Sequence, residues 1–203
     1  DIQFHVATLS ADMAGGSVHP YSGFTLSTCQ LRPESRGHAH IQSSDPLVPP
    51  AMVPNYLSTD LDRRTAIASL KASRAIASSK SMSPYVKREV KPGPDATSDE
   101  ELLEFSRNHG ATIFHPTGTC KMGVESDKMA VLDERLRVRG VQGLRVIDCS
   151  AMPTLVSGNT NAPAVAMAEK AVDMILEDAR RSAASVSVTT SRQAESESAI
   201  SST

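Results

Sequence analysis

The chain has 203 residues, of which 39% are hydrophobic, enough for one large domain or parts of two. Its formal net charge of −2 gives no reason to expect nucleic acid or an anionic membrane as a partner. No apolar run approaches the ~18 residues of a membrane span, and the first residues lack the basic and apolar regions of a signal peptide. The three cysteines are far apart and form no CxxC pair, so we expect a reducing, cytoplasmic setting.

Alternating residues and chain breakers predict the elements of the first half. Residues 24–31 alternate at first and read as a strand, and residues 38–42 alternate in a second strand, so a hairpin is expected with a turn at residues 32–37. Residues 45–55 contain four prolines and are predicted to be an extended surface connection. His38 and His40 share one face of the second strand, where a solvated face is favoured over a metal site because no third ligand is apparent.

Two helices are predicted next, the first over residues 60–79, where breakers are few. Ser98 and Glu101 have the spacing of a capping box, which predicts a second helix that runs to about His109. Gly110 follows it and is predicted to end the helix in a left-handed conformation.

The second half contains a hairpin-like excursion, a short strand and a final helix. Residues 131–143 form the excursion, with glycines at its turns, and residues 144–148 are predicted to be a strand that ends on Asp148. The helix is predicted to start near Ala162 and to bury a stripe of small and aliphatic side chains: Ala164, Ala168, Ala171, Val172, Ile175 and Leu176. Residues 181–203 are rich in Ser, Thr, Ala and Glu, which predicts a disordered tail.

His115 is the first candidate for chemistry. It precedes Pro116, which biases its backbone away from helical geometry, in a loop that contains nearby glycines. Imidazole is the side chain best matched to proton transfer near neutral pH. A lone histidine in a loop is nevertheless more often structural or solvated, so this segment alone leaves both interpretations open.

A polar turn at Asn159, 44 residues further along, is the second candidate. It leads through Asn161 into the final helix, where Pro163 lies in the first turn and loses no intrahelical hydrogen bond. The unpaired N–H groups at a helix start attract negative charge. Asn161 alone is explained equally well as an N-cap, but the two asparagines together with Asp148 favour a ligand site.

Several motifs together resemble the C-terminal part of the glucose–methanol–choline (GMC) oxidoreductases, a family of flavin-dependent alcohol oxidases and dehydrogenases. The resemblance is strongest in residues 115–123, 131–138, 143–153 and 157–170, and it extends more loosely through residues 31–37 and 54–57. In all it covers about residues 1–178.

The resemblance implies roles for individual residues. His115 resembles the histidine that accepts the proton of the substrate hydroxyl, and Asn159 matches the position, His or Asn in the family, that hydrogen-bonds the substrate oxygen. Contacts with the FAD cofactor are implied for Asp148, Cys149, Asn159, Thr160, Asn161 and Pro163. A carboxamide donor steadies a developing alkoxide, and the positive end of a helix stabilises the negative charge of a reduced flavin. The implied substrate is a small-molecule alcohol, and no metal is implied.

The implied fold class is α+β. It combines an antiparallel substrate-domain sheet backed by helices with the last strand and C-terminal helix of an FAD-binding α/β domain whose first part is missing. Residues 1–125 are assigned to the substrate-binding domain, 126–180 to the FAD-binding domain and 181–203 to the tail. The family's G-x-G-x-x-G motif is absent. The chain is therefore expected to be the C-terminal portion of a longer enzyme, to need the missing FAD-binding segment as a partner and to leave the stripe of its last helix exposed. The alternative is a truncated, non-catalytic module.

Overall fold

The computed structural model describes residues 1–12 and 16–200, with side chains described up to residue 183. In chain order its elements are β1 (Ile2–Ala7), β2 (Thr25–Gln30), β3 (His38–His40), β4 (Ala51–Val53), α1 (Asp60–Ala77), α2 (Asp99–His109) and α3 (Asn161–Ile200). The strands form two small antiparallel sheets, β1–β2 and β3–β4. This mixture of helices and small antiparallel sheets agrees with the predicted α+β class. No helix among the described residues is both long and apolar enough to cross a membrane.

The chain divides into two compact units. Unit one contains Asp1–His115 and Leu155–Asn159, and unit two contains Pro116–Thr154 and the residues from Thr160 onward. These units alternate along the chain, whereas the predicted domains are continuous segments that divide at residues 125 and 180. The assignment of the segments to a substrate-binding and an FAD-binding domain stays a prediction.

The β1–β2 hairpin is the framework of unit one. Ile2 lies opposite Gln30 and Ala7 opposite Thr25, so the register also pairs Gln3 with Cys29. Side chains alternate between the faces of a sheet, so Thr28 lies on the opposite face from Gln3 and Cys29. The Oγ1 of Thr28 donates a hydrogen bond of 2.8 Å to the Oγ of Ser69 in α1. One face of the hairpin therefore packs against α1 and leaves the other face for a site.

β2 confirms the strand predicted at residues 24–31, but the predicted hairpin between this strand and residues 38–42 is wrong. β2 pairs with β1, and β3 pairs with β4, which lies in the predicted proline-rich connection. The segment after β2 is bound to α1 instead of turning back, because the backbone N–H groups of Glu34 and Ser35 donate to the carboxylate of Asp62. Gly37 is needed at the start of β3, since a Cβ there would lie 2.0 Å from the carbonyl oxygen of Val53.

The histidines of β3 are both exposed, and their ring centroids are 4.8 Å apart. Among the side chains described in residues 1–12 and 16–183, no third His, Cys, Asp or Glu joins them to form a group that would hold a metal ion.

Both predicted helices of the first half are confirmed. The hydroxyl of Thr59 caps α1 by accepting from the N–H of Asp62. At α2 the predicted capping box is present: Ser98 Oγ accepts from the N–H of Glu101, and the Glu101 carboxylate accepts from the N–H of Ser98. The left-handed conformation predicted for Gly110 is wrong, because its φ is −67° and its ψ is 139°. Glycine is required there for space, since a Cβ would lie 2.5 Å from the carbonyl oxygen of Ser106.

Unit two has its core between the 131–143 excursion and α3. Leu132, Leu136, Ala151 and Ala171 are buried together. The predicted excursion is confirmed, with Gly140 and Gly143 in left-handed turns at φ of +77° and +72°. The strand predicted at residues 144–148 is wrong, because only an isolated bridge between Arg137 and Arg145 forms there. In the part of the chain that the structure describes, the excursion is the single segment bridged to residues 144–148, and one bridge does not make a regular strand.

α3 begins one residue before the predicted start, at Asn161. Of the predicted stripe, Ala171 is buried and Ala164 and Ala168 are half-buried. The prediction of a buried stripe is wrong for the large residues, because Val172, Ile175 and Leu176 are 51%, 38% and 48% exposed. The exposed stripe that was also expected for the last helix is therefore seen at these three residues.

The backbone of the predicted disordered tail is helical in the structure, since α3 continues to Ile200. No glycine or proline follows Pro163, so no strong helix breaker interrupts the chain there. The assignment of residues 181–203 to a disordered tail stays a prediction. Residues 201–203, the end of the predicted tail, lie outside the described residues.

Candidate active site

A narrow cavity of about 20 Å³ lies in unit one beside the hairpin. His115 and Asn159 both line it, together with Gln3 and Cys29. The remaining wall includes four aliphatic side chains: Leu31, Ile113, Leu155 and Val156. Two residues that the sequence singles out 44 positions apart are thus brought to one cavity whose walls are mainly apolar.

His115 is held in a restricted backbone. Phe114 directly before it has a φ of +61°, which is a strained conformation for a bulky residue. The N–H of Phe114 donates to the hydroxyl of Thr112 at 3.0 Å, and Pro116 fixes the chain on the other side. His115 is half-buried. No sequence signal predicts the left-handed Phe114, because phenylalanine is not a residue that favours this region.

Asn159 ends a five-residue segment that side-chain bonds tie to the hairpin. Its Oδ1 accepts a hydrogen bond of 3.1 Å from the Nε2 of Gln3 in β1. Two residues earlier, the Oγ of Ser157 accepts from the Nε of Arg32 at 2.8 Å. Gln3 was not predicted from the sequence, because the first twenty residues have no clear periodicity. A strand predicted at residues 2–7 would have located Gln3 on one face of that strand.

Cys29 contributes to the cavity wall without being a nucleophile. Its Sγ lies 3.5 Å from the Nε2 of His5 on the neighbouring strand. Burial raises the pKa of the Cys29 thiol, so the thiol stays protonated near neutral pH. In this form the cysteine behaves as a small apolar residue.

The remaining predicted residues belong to unit two. Asp148 caps a short 3-10 turn, Cys149–Ala151, and its Oδ1 accepts from the N–H of Ser150 at 2.7 Å. The Sγ of Cys149 lies 4.0 Å from the carbonyl oxygen of buried Thr160. Unit two therefore brings the end of the 144–148 segment close to the start of α3.

The chemistry of these unit-two groups fits a flavin nucleotide. The first N–H groups of α3, at Asn161 and Ala162, have no acceptor within the helix, and Pro163 has no N–H to leave unpaired. A long helix places partial positive charge at this end, which suits the electron-rich edge of a flavin ring. The carboxylate of Asp148 is an acceptor of the kind that sugar hydroxyl groups require.

Comparison with known proteins gives a family. The family model for GMC oxidoreductase matches residues 33–168. The alcohol dehydrogenase [acceptor] of Pseudomonas putida is 41% identical over 193 residues, which are 95% of this chain and 35% of that protein. The oxygen-dependent choline dehydrogenase of Staphylococcus saprophyticus is 39% identical over 86% of this chain and 31% of its own length.

Solved structures agree with this match. Pyridoxine 4-oxidase from Mesorbium loti superposes with a TM-score of 0.71 at 32% identity, over 80% of this chain and 31% of that one. A fungal aryl-alcohol oxidase gives a TM-score of 0.69, also at 32% identity, over 80% of this chain and 27% of that one. The chain spans about a third of the length of the relatives it matches. With the family model matched over more than half of its residues, the chain belongs to the GMC oxidoreductase family.

Proposed function

We propose that this chain forms the substrate-facing part of an FAD-dependent oxidoreductase that acts on the CH–OH group of a small-molecule alcohol. The observation that carries the proposal is that His115 and Asn159 line the same cavity in unit one. The names of the relatives support it, because they describe enzymes of alcohols, choline, pyridoxine and aryl alcohols. Family membership gives no support to the alternative of a non-catalytic module.

The proposed mechanism divides the oxidation between the chain and its cofactor. A ring nitrogen of His115 accepts the hydroxyl proton of the alcohol. The Nδ2 of Asn159 donates a hydrogen bond to the same oxygen as negative charge develops on it. FAD, when bound, supplies the acceptor for the hydride that leaves the substrate carbon, so the alcohol becomes a carbonyl compound. The aliphatic side chains of the wall give the proton transfer a partly apolar surrounding.

The unit-two groups are proposed to hold the cofactor. Asp148 accepts hydrogen bonds from hydroxyl groups of the FAD chain, and Cys149 packs beside it. Thr160, Asn161 and Pro163 present the helix start to the flavin.

A panel of alcohols tests the proposed reaction. Choline, primary aliphatic alcohols and aryl alcohols are mixed with the flavin-loaded full-length enzyme that contains this chain, and bleaching of the flavin absorbance is followed without oxygen. We expect at least one class to reduce the flavin with formation of the aldehyde, and oxygen or an artificial dye then to restore its colour. If flavin is bound and no class of alcohol reduces it, the proposed reaction is wrong.

Replacement of Asn159 with alanine tests the proposed donor. We expect the rate of flavin reduction to fall about a hundredfold, because removal of one donor from a developing oxyanion has an effect of this size. The measurement is stopped-flow flavin absorbance at saturating alcohol. Asn108→Ala is the matched control, since Asn108 bonds only to Glu104 on the exposed surface of α2. Equal rates in the two variants would exclude Asn159 from the reaction.

A further inference from the structure

The carboxamide of Asn159 has an orientation that its own segment does not determine. A carboxamide carries an acceptor oxygen and a donor nitrogen of nearly equal size, so a half-turn of the group exchanges their chemistry. In the structure the oxygen, Oδ1, accepts from the Nε2 of Gln3 at 3.1 Å. This bond assigns the oxygen to the hairpin and leaves the nitrogen, Nδ2, as the atom that remains available to a ligand.

We propose that Gln3 is a positioning residue for the alcohol oxidation: it fixes the carboxamide of Asn159 so that Nδ2 faces the substrate oxygen. This inference rests on the proposed function, which needs a donor at this position. The reverse orientation would present the lone pairs of Oδ1 to an oxygen that is gaining negative charge, and the transition state would be destabilised instead of stabilised.

The hairpin makes Gln3 a rigid reference for a loop residue. Gln3 lies in the middle of a paired strand, opposite Cys29, and both side chains line the cavity. On the other face the bond between Thr28 and Ser69 holds the neighbouring position of β2 against α1. Asn159, in contrast, belongs to a segment of five residues that contains no strand or helix. Gln3 in the strand therefore fixes the orientation of the Asn159 side chain in the loop, and not the reverse.

Two substitutions separate positioning from simple packing. Gln3→Met keeps the length of the side chain and removes its donor, so the carboxamide of Asn159 becomes free to turn. Gln3→Glu keeps the shape of glutamine but offers only acceptor oxygens, so it binds Nδ2 of Asn159 and turns Oδ1 toward the substrate. A packing role predicts that the glutamate variant, the closer isostere, is the milder of the two; the positioning role predicts the opposite order.

Kinetics of the flavin-loaded protein provide the first test. We expect kcat to fall about fivefold in Gln3→Met and about a hundredfold in Gln3→Glu, with KM little changed, because the bond of Asn159 to the substrate oxygen gains strength only in the transition state. Gln42→Glu is the matched control, since Gln42 donates to the carbonyl of Pro49 in a surface loop of the same unit. A methionine variant slower than the glutamate variant would overturn the proposal.

A double-mutant cycle removes the effect of the new negative charge. In an Asn159→Ala background the positioning role predicts that Gln3→Glu costs no further rate, because the group it turns is absent. A direct effect of charge on the alkoxide predicts the same loss as in the parent protein. Additive effects would therefore also overturn the proposal.

A spectroscopic measurement on the chain itself does not depend on turnover. The sequence contains only four asparagines, at positions 55, 108, 159 and 161, so asparagine labelled with ¹⁵N gives few side-chain amide signals, and Asn159→Ala identifies the relevant pair. We expect Gln3→Met to shift this pair and Gln42→Met to leave it unchanged. An unshifted pair overturns the positioning role. A shifted pair in a protein whose turnover is insensitive to Asn159→Ala would support the bond with Gln3 while refuting the proposed catalytic role of Asn159.

Discussion

Replacement of His115 with alanine is expected to slow the reduction of bound flavin about a thousandfold, because a positioned general base contributes two to four orders of magnitude. The imidazole lines the described cavity, and no other residue of that lining carries a carboxylate, amine or phenol that serves as a general base. The flavin itself should stay bound, since the residues proposed to hold it lie elsewhere in the chain. The measurement is single-turnover flavin bleaching at saturating alcohol, together with the ratio of flavin to protein after gel filtration.

The control for His115 is His40→Ala. His40 lies exposed on β3 and stacks only against His38, so its loss removes an imidazole from the same unit without touching the cavity. We expect this variant to reduce its flavin at the parent rate. Should His115→Ala also turn over at the parent rate, another group must accept the proton and the proposed mechanism fails. Loss of the flavin from His115→Ala would instead show that the side chain acts in cofactor binding.

Replacement of Asp62 with alanine is expected to lower the free energy of unfolding by about 3 kcal/mol, because it leaves the backbone N–H groups of Glu34 and Ser35 without the charged acceptor that binds both. The carboxylate of Asp62 is 3% exposed. It accepts from the N–H groups of Glu34 at 2.9 Å and Ser35 at 2.7 Å, so it ties the segment after β2 to the first turn of α1. The measurement is urea unfolding followed by circular dichroism.

Asp60→Ala is the matched control for Asp62. Both carboxylates lie in the first turn of α1, where negative charge interacts favourably with the helix dipole, but the side chain of Asp60 is 70% exposed and pairs with Arg64 at the surface. We expect it to change the free energy of unfolding by less than about 1 kcal/mol. Equal losses in the two variants would mean that the bonds to Glu34 and Ser35 contribute nothing beyond the helix dipole.

The same carboxylate gives the stability a defined pH dependence. Burial by itself raises the pKa of Asp62, but hydrogen bonds from Ser35 and Glu34 outweigh it and hold the pKa below the ordinary value of 3.8. A depressed pKa in the folded state means that the stabilisation is complete above the unfolded-state pKa and is lost as the pH falls through the folded-state value. The difference in stability between the parent and Asp62→Ala should therefore be constant near pH 7 and shrink below about pH 4.

Sequence reasoning located the helices and the two catalytic candidates, because their signals are local. The capping box of Ser98 involves four consecutive residues, and the start of the helix at Asn161 is indicated by three consecutive residues. Strand pairing was predicted less well, since it depends on distant partners: β3 pairs with β4, and Asp62 of α1 binds Glu34 and Ser35 in the segment between β2 and β3. No pattern in residues 24–42 contains that information.

The candidate site shows the same division. His115 and Asn159 stand in recognisable motifs, but Gln3 is identified only when the register of β1 against β2 is known. The strained backbone of Phe114 is equally invisible in the sequence, because the tertiary structure imposes a conformation that phenylalanine does not favour. Burial of the α3 stripe depends on which segments pack against it, and helical periodicity does not identify those segments.

The alternation of the two units along the chain has a consequence for biosynthesis. Unit one is interrupted after His115 and resumes only for Leu155–Asn159, so 39 residues of unit two, Pro116–Thr154, are made before the cavity receives its last wall. A ribosome that has released the chain as far as Thr154 has delivered the hairpin, α1, α2 and the imidazole, but not the carboxamide. Closing the loop formed by Pro116–Thr154 costs conformational entropy before the contacts that stabilise the closed form are made. The cavity is thus assembled late in translation, after most of its parent unit has emerged.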